Sequence, residues 1–388
     1  MSEPDGPNGL TERHEPTSGQ GAAAGDLGDL ILRLQAQGLR ATTSVGGRAG
    51  GAGPSNVGML WVDEVALTLD TDPRRAMESP FELRAEAEGF GLYEAGTRRA
   101  GARPQSRPRF YDLETADGIP YWKLALLHLD SLASTVLQTC SNWGNDDQCT
   151  FCGIGVSLAS GNTIARKQPE QLAEVAVAAK ELDGVVDVTL TTGSTRAPDR
   201  GGLYVGRCAQ AVKEASGLPV EVQFEPPDDL DVIDRVRDMG ADTIGIHVET
   251  FDPAVLDRVA PAKGRTGIEG YFRAWERAVG CFGPGQVTTY VILGMGEDPE
   301  LTIAGCQRAV DLGVYPFVVP LRPVAGSLMA DWAPPDSAYV ESVLRHVVPY
   351  LRDRGLGAGT ALAGCSRCNA CSPMAAFEQT VQIGRKTA

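Results

Sequence analysis

Six of the nine cysteines fall into two triplets. Cys140, Cys149 and Cys152 occupy Thr-Cys-Ser-Asn-Trp-Gly-Asn-Asp-Asp-Gln-Cys-Thr-Phe-Cys, and Cys365, Cys368 and Cys371 occupy Gly-Cys-Ser-Arg-Cys-Asn-Ala-Cys-Ser. Each triplet contains a two-residue spacing that lets thiolates converge on one metal centre. Three thiolates leave one iron of a four-iron cluster open to a small molecule, and an open site is where chemistry can happen. A structural zinc site wants four Cys or His ligands, and no fourth lies near residues 140–152. Packing of cysteine as a small apolar side chain is the third reading, and the polar loop before Cys149 speaks against it there. At the second triplet the same spacing favours an iron–sulfur cluster over zinc. Such a cluster could donate sulfur, bind substrate through an open iron, or relay an electron. Cys208, Cys281 and Cys306 stand in helix-like surroundings and are expected to pack, although any one of them could supply a fourth ligand.

The elements that must position these thiols form a regular series from about residue 120. Apolar, β-branched runs recur at 135–139, 185–192, 219–225, 243–249, 287–293 and 315–321. Helical patterns lie between them, the clearest beginning at Pro169-Glu-Gln-Leu, where Pro and Glu suit a first turn and Leu172, Val175 and Ala179 share a face. Further helices are expected at 204–216, 229–239, 267–280, 299–312 and 336–355. Strands alternating with helices imply parallel β/α units. Six of them predict an α/β fold, either a doubly wound sheet or an incomplete barrel. The first triplet then follows a strand's carboxyl end, where such folds gather functional groups.

Ahead of the series, residues 1–26 read as a disordered tail rich in Gly, Pro, Ser, Glu and Ala. Asp26 to Arg40 has the pattern of an amphipathic helix, with Leu27, Leu30, Leu34 and Leu39 as packing residues. The loop Gly46-Gly-Arg-Ala-Gly-Gly-Ala-Gly-Pro54 lacks the lysine and spacing of a phosphate-binding loop and reads first as a connector. Strand-like runs over 57–115 predict a small N-terminal module. The expected organisation is thus a tail (1–26), an extension (27–119), a core (120–335) and a C-terminal helix with the second cysteine site (336–388).

With 43% apolar residues, the 388-residue chain can bury a real core. Its 35 basic against 50 acidic residues, a formal charge of −15, repel phosphate backbones and anionic membranes, so no nucleic-acid or membrane partner is expected. No apolar run reaches the ~20 residues of a membrane span, and no basic-then-apolar secretory leader is seen. Clustered cysteines in an odd total fit metal ligands in a reducing cytoplasm.

The aromatic Phe151 just before Cys152 makes the first triplet resemble the cluster loop of radical S-adenosylmethionine enzymes, with eight and then two residues between cysteines where the family usually has three and then two. Further segments match that superfamily in order: Thr191-Thr-Gly-Ser194, Gln223-Phe-Glu-Pro-Pro227, Ile246-His-Val-Glu-Thr250, Val291-Ile-Leu-Gly-Met-Gly-Glu297 and Pro320-Leu-Arg-Pro-Val-Ala-Gly-Ser-Leu328. Several look like biotin and lipoyl synthase segments. Gly50-Gly-Ala-Gly-Pro54, Phe110-Tyr-Asp-Leu, the long cysteine loop and the closing trio are similar to a biotin-synthase-like subgroup found in bacterial nitrilase gene clusters.

The resemblance implies an incomplete (β/α)6 barrel of TIM type. Cys140, Cys149 and Cys152 would hold a 4Fe–4S cluster whose fourth iron binds S-adenosylmethionine, and reductive cleavage to a 5′-deoxyadenosyl radical would start hydrogen abstraction from a small, polar, amino-acid-like metabolite. A reductant such as flavodoxin or ferredoxin is implied. Phe151 would pack on adenine, and Thr192, Gly193 and Ser194 would meet the ammonium end. Glu225 and Glu249 would bind ribose or a substrate ammonium. His247, which shares a strand face with Glu249, and Glu249 itself are the catalytic candidates. Gly294, Gly296 and Glu297 would shape the adenine pocket, and Arg322 would pair with a carboxylate. Each has a plainer reading as filler, turn, buried ion pair or core histidine. The alternative from another class is a non-catalytic iron–sulfur or zinc protein with a redox or regulatory role.

Overall fold

A computed structural model describes residues 24–41, 57–70 and 76–378. The glycine-rich loop over 46–54 and nearly all of the expected tail lie outside those residues. Two sheets organise the rest. The larger has seven strands in spatial order β13-β12-β11-β10-β9-β8-β7. Its parallel strands are β8 (Ser131–Thr135), β9 (Asp187–Thr191), β10 (Val220–Gln223), β11 (Thr243–Gly245), β12 (Val287–Leu293) and β13 (Val314–Pro320). The short strand β7 (Leu126–His128) pairs antiparallel with β8 at one edge. Spatial order equals chain order, and β13 does not pair back to β7 or β8, so the sheet is an open (β/α)6 wall, the incomplete α/β barrel of the sequence expectation.

Helices over 169–183, 202–216, 231–238, 268–282, 299–312 and 337–353 follow their strands closely in the predicted order. Pro169 opens the first of these, and a reciprocal pair of bonds between Gln168 and Gln171 caps it. The helices bury one apolar stripe each; Val175, Val205, Ile233, Trp275 and Val310 all sit in the same core as the sheet. Cys208 and Cys306 are packed in that core, and Cys281 lies against it. Among the described residues no helix is long and apolar enough to cross a membrane.

Two strand expectations need correction. The first parallel strand is 131–135, not 135–139. Its Ser-Leu-Ala-Ser-Thr sequence looks loop-like, but Ser134 is satisfied inside, its Oγ donating to Leu124 O at 2.6 Å. The apolar run after it keeps two bonds to the end of β9, Val136 N–H to Thr191 O and Gly193 N–H to Leu137 O, and also meets residues 165–167, with Gln138 N–H donating to Ala165 O and Lys167 N–H to Val136 O. The fourth strand stops at Gly245 because the next residues bulge. Val248 N–H donates to the Thr289 hydroxyl rather than to a carbonyl, and Glu249 adopts φ 72°. The backbone rejoins β12 at Glu249, whose N–H bonds Tyr290 O. A bulge of this kind re-aims side chains.

The smaller sheet, in order β1-β4-β5-β6-β2-β3, contains β1 (Arg40–Ala41), β2 (Val57–Val62), β3 (Val65–Asp70), β4 (Phe81–Ala85), β5 (Phe90–Glu94) and β6 (Thr97–Pro104). Helix α1 (Ala24–Gln37) covers it with Leu30, Ile31 and Leu34 against Leu67, Phe81 and Leu83. The helix ends before Arg40 because Gly38 takes a left-handed φ of 70°. Beyond the helix over 337–353, the chain returns to the barrel. Asp187, Glu221, Thr243 and Thr288, all near the starts of their strands, meet residues 363–367. The second cysteine segment therefore plugs the amino-terminal mouth of the wall, opposite the strand carboxyl ends.

Candidate functional site

At the carboxyl-terminal mouth a cavity of about 770 Å³ is lined by Cys140, Cys149, Phe151 and Cys152, and by residues from the ends of β9, β10 and β11. The long spacer between Cys140 and Cys149 folds on itself. Trp143 N–H donates to Cys140 O and Gln148 N–H to Asn145 O, Asn145 Nδ2 donates to Ser141 O at 2.9 Å, and the Trp143 ring lies directly over Gly155. A series of tight turns thus stores the extra residues and returns the chain to the cavity. Thr150 N–H donates to Val259 O, which pins the loop to its neighbour.

Thr192, Gly193 and Ser194 line the same cavity from the end of β9. A Cβ on Gly193 would lie 2.2 Å from Thr139 O; only glycine lets this turn approach the cysteine loop so closely. Glu225, after β10, and His247 and Glu249, on the bulge after β11, also line it. Sequence reasoning missed the cation that joins them. Lys263, in a short helix (Pro261–Thr266), is buried and places Nζ 2.5 Å from Glu225 Oε1, 3.1 Å from Glu249 Oε1 and 2.7 Å from His247 O. Tyr271 OH donates to Glu225 Oε2 at 2.6 Å. Burial works against the ammonium, yet Glu225, Tyr271 and Glu249 outweigh it and raise the Lys263 pKa well above the ordinary range. Burial pushes the Glu249 carboxyl upward, with Lys263 opposing. Two carboxylates at adjacent strand ends call for a buried cation, but no local pattern points to residue 263.

His247 is neutral. Burial, then the nearby Lys263 charge, lowers its pKa to about 3. Its Nδ1 accepts Tyr290 N–H at 3.1 Å, which leaves the proton on Nε2, a buried atom without a protein partner. The imidazole thus keeps its one N–H buried, beside Gly245. The Tyr290 ring packs edge-on at 4.6 Å between centroids.

Other sequence candidates sit elsewhere. Glu297 accepts the N–H groups of Gly294 and Met295 at 2.7 and 2.8 Å and the Tyr339 hydroxyl at 2.6 Å. It therefore stabilises its own glycine loop, and neither Gly294 nor Glu297 is among the residues that line the cavity. Arg322 also lies outside it. Its guanidinium donates to Thr68 Oγ1 and, at 3.2 Å, to Cys371 O, tying β3 to the second cysteine segment.

That segment is held tightly. Arg367, in the helical turn Cys365–Cys368, pairs with buried Asp187 and with Asp130. A Cβ on Gly364 would fall 2.1 Å from the Glu221 carboxyl carbon. Cys365 Sγ receives Tyr290 OH at 3.2 Å and Gln223 Nε2 at 3.3 Å. Cys368 and Cys371 meet His128, unnoticed in the sequence, at 3.2 and 3.5 Å.

The first triplet fits an iron–sulfur cluster. Three sulfur donors share one cavity wall, and burial raises the Cys149 thiol strongly and pushes Cys152 up to about 11. Their thiolates therefore need positive charge, which metal supplies. Among the described residues no three Cys, His, Asp or Glu side chains close around a single metal ion; cluster ligands, held on separate irons, stand farther apart.

Residues 141–304 match the Radical SAM superfamily. Over 331 residues the chain is 24% identical to a bacteriochlorophyllide c C-7(1)-hydroxylase of Chlorobaculum limnaeum, covering 80% of this chain and 81% of that protein. A lipoyl synthase of Methanocella arvoryzae is 33% identical over 160 residues, 39% of this chain and about half (49%) of that relative. The crystal structure of a methylornithine synthase aligns with 66% of this chain and 81% of its own, at 18% identity and a TM-score of 0.44.

Proposed function

We propose, from the match of residues 141–304 to the Radical SAM superfamily, that the protein is a radical S-adenosylmethionine enzyme acting on a small, polar, amino-acid-like metabolite. The observation that carries this reading is the meeting of Cys140, Cys149 and Cys152 with Thr192–Ser194, Glu225, His247 and Glu249 around one cavity. When bound there, a 4Fe–4S cluster and S-adenosylmethionine supply a 5′-deoxyadenosyl radical. The chain's own residues bind, orient and exclude water. Phe151, Pro226 and Pro227 give the cavity an apolar wall suited to an adenine. Thr192 and Ser194 offer hydroxyl and carbonyl groups to an ammonium.

The Lys263 cluster makes the far wall. Its ammonium, shared between Glu225 and Glu249, holds both carboxylates ready to accept hydroxyl or ammonium donors. Arg273 on the rim suits a carboxylate, while Arg200 and Arg265 are already paired with Asp228 and Asp147. Alternating cationic and anionic groups around one cavity match a zwitterion, hence the amino-acid-like substrate. His247 does not change charge near neutral pH.

The second triplet would hold an auxiliary iron–sulfur cluster on the opposite side of the wall. The biotin-synthase-like subgroup of nitrilase gene clusters remains the family reading of the sequence, with a flavodoxin- or ferredoxin-type reductant and a cytoplasmic setting. Incubating the anaerobically reconstituted protein with S-adenosylmethionine and dithionite tests the proposal. Release of 5′-deoxyadenosine is expected; iron-loaded protein that binds no S-adenosylmethionine and releases none would leave a non-catalytic redox or regulatory role.

A further inference from the structure

The three C-terminal cysteines are joined by a side chain from 240 residues away in sequence. His128 ends β7, the antiparallel edge strand, and its ring stands between two thiols. Nδ1 is 3.2 Å from Cys368 Sγ, Nε2 is 3.5 Å from Cys371 Sγ, and the His128 carbonyl is 3.8 Å from Cys368 Sγ. This approach is built into the fold. The hairpin turn after His128 uses Leu129 at φ 61°, and Asp130 on that turn is gripped by Arg367 at 2.6 Å. Arg367 lies between Cys365 and Cys368 and also pairs with Asp187. One guanidinium thus fixes the strand that carries the histidine against the turn that carries the cysteines.

We propose that His128 is the fourth protein ligand of the second centre, completing a Cys365/Cys368/Cys371/His128 set. This rests on the reading of the C-terminal trio as an iron–sulfur site. A tetrahedral metal with sulfur at about 2.3 Å and nitrogen at about 2.0–2.1 Å sets the two donors about 3.5 Å apart. The Cys371 Sγ to His128 Nε2 separation has that value, so these two fit one metal atom. Cys365 lies on the other side, against Tyr290 and Gln223, and suits another metal atom of the same cluster. In a two-iron cluster, two protein ligands on each metal atom close the coordination sphere. The second centre then has no open iron for substrate and is left to relay electrons or give up sulfide. A neutral imidazole in place of a thiolate also removes one negative charge and raises the reduction potential.

Pulsed EPR of the reduced, reconstituted full-length protein without S-adenosylmethionine tests this, using chain grown with natural-abundance or 15N-labelled histidine. The expected result is a directly bound nitrogen coupling that changes with the label and disappears in His128→Cys. That variant should keep its iron and shift the second centre to a more negative potential. The same labelling in the Cys140→Ala/Cys149→Ala/Cys152→Ala protein should show the coupling alone. Iron present at both sites with no histidine nitrogen coupling would overturn the assignment and leave His128 as a hydrogen-bond partner. Iron lost only with the first triplet removed, and none held by the C-terminal trio, would overturn the cluster reading beneath it.

Discussion

The two cysteine triplets share a spacing rule and differ in everything around it. Cys140, Cys149 and Cys152 stand on a loop at the carboxyl-terminal mouth, facing a cavity ringed by charged side chains. Cys365, Cys368 and Cys371 stand at the amino-terminal mouth, where Tyr290, Gln223 and His128 reach the sulfurs directly. The first site leaves room for a reactant; the second fills its surroundings with protein. Position in a parallel β/α wall explains the contrast, since loops at strand carboxyl ends are free to vary while the opposite mouth is closed by packing. Tyr290 connects the two, with its ring on His247 and its hydroxyl on Cys365.

The largest expected effect separates the sites outright. Cys149→Ala should reduce 5′-deoxyadenosine formation to background while the second centre keeps its iron. Cys368→Ala should do the reverse, leaving cleavage within about twofold, the about 0.5 kcal/mol expected between distant independent positions. Equal loss of cleavage in both variants would erase the distinction between the sites. Next in size is Lys263→Ala, which strands the buried Glu249 carboxylate and takes one partner from the half-buried Glu225. A loss of about 3–5 kcal/mol of stability is expected, read by thermal or denaturant unfolding, and Glu225→Gln in the same protein should restore part of it. A Lys263→Ala protein as stable as the wild type would mean the cluster is solvated and not a wall of the cavity.

A pH effect marks the first site. The folded pKa of His247, about 3, lies below its ordinary 6.5, so the unfolded chain binds the extra proton between those values. Its contribution to stability is complete above about pH 6.5 and is lost as pH falls toward 3. Unfolding measured from pH 7 to 4 should show that acid decline, flattened in His247→Gln; an unchanged slope would contradict a buried neutral imidazole. The smallest expected change is Tyr290→Phe, which removes one hydroxyl donor from Cys365 for about 1 kcal/mol. It should alter the EPR signal of the second centre and leave cleavage untouched.

Much of this was legible in the chain. The nearly continuous apolar run Val314–Pro320 located β13, whereas β9 (Asp-Val-Thr-Leu-Thr) and β10 (Val-Glu-Val-Gln) alternate, with Asp187 and Glu221 reaching the C-terminal segment. The first strand was not legible, since its Ser-Leu-Ala-Ser-Thr sequence is mostly polar and Ser134 finds its partner, Leu124 O, only in the folded chain. Cysteine spacing and ordered strand-end segments marked the first site, because those residues are neighbours in sequence. Lys263 and His128 were invisible for the opposite reason: each meets its partners only after the wall has curled. Glu297 and Arg322 carried family-like sequence but serve their own loop and the C-terminal segment, as charges in turns often do when a backbone N–H or carbonyl lies nearer than a ligand.

The central claim is that one barrel carries two iron–sulfur centres with separate tasks. Iron and sulfide counting on the reconstituted wild type, Cys149→Ala and Cys368→Ala, paired with the deoxyadenosine assay, tests it most directly. The account predicts that each variant loses one centre's iron, with roughly four irons remaining in Cys368→Ala, and that only Cys149→Ala loses cleavage. A wild type with the iron of a single cluster, or with zinc in place of iron, would contradict it.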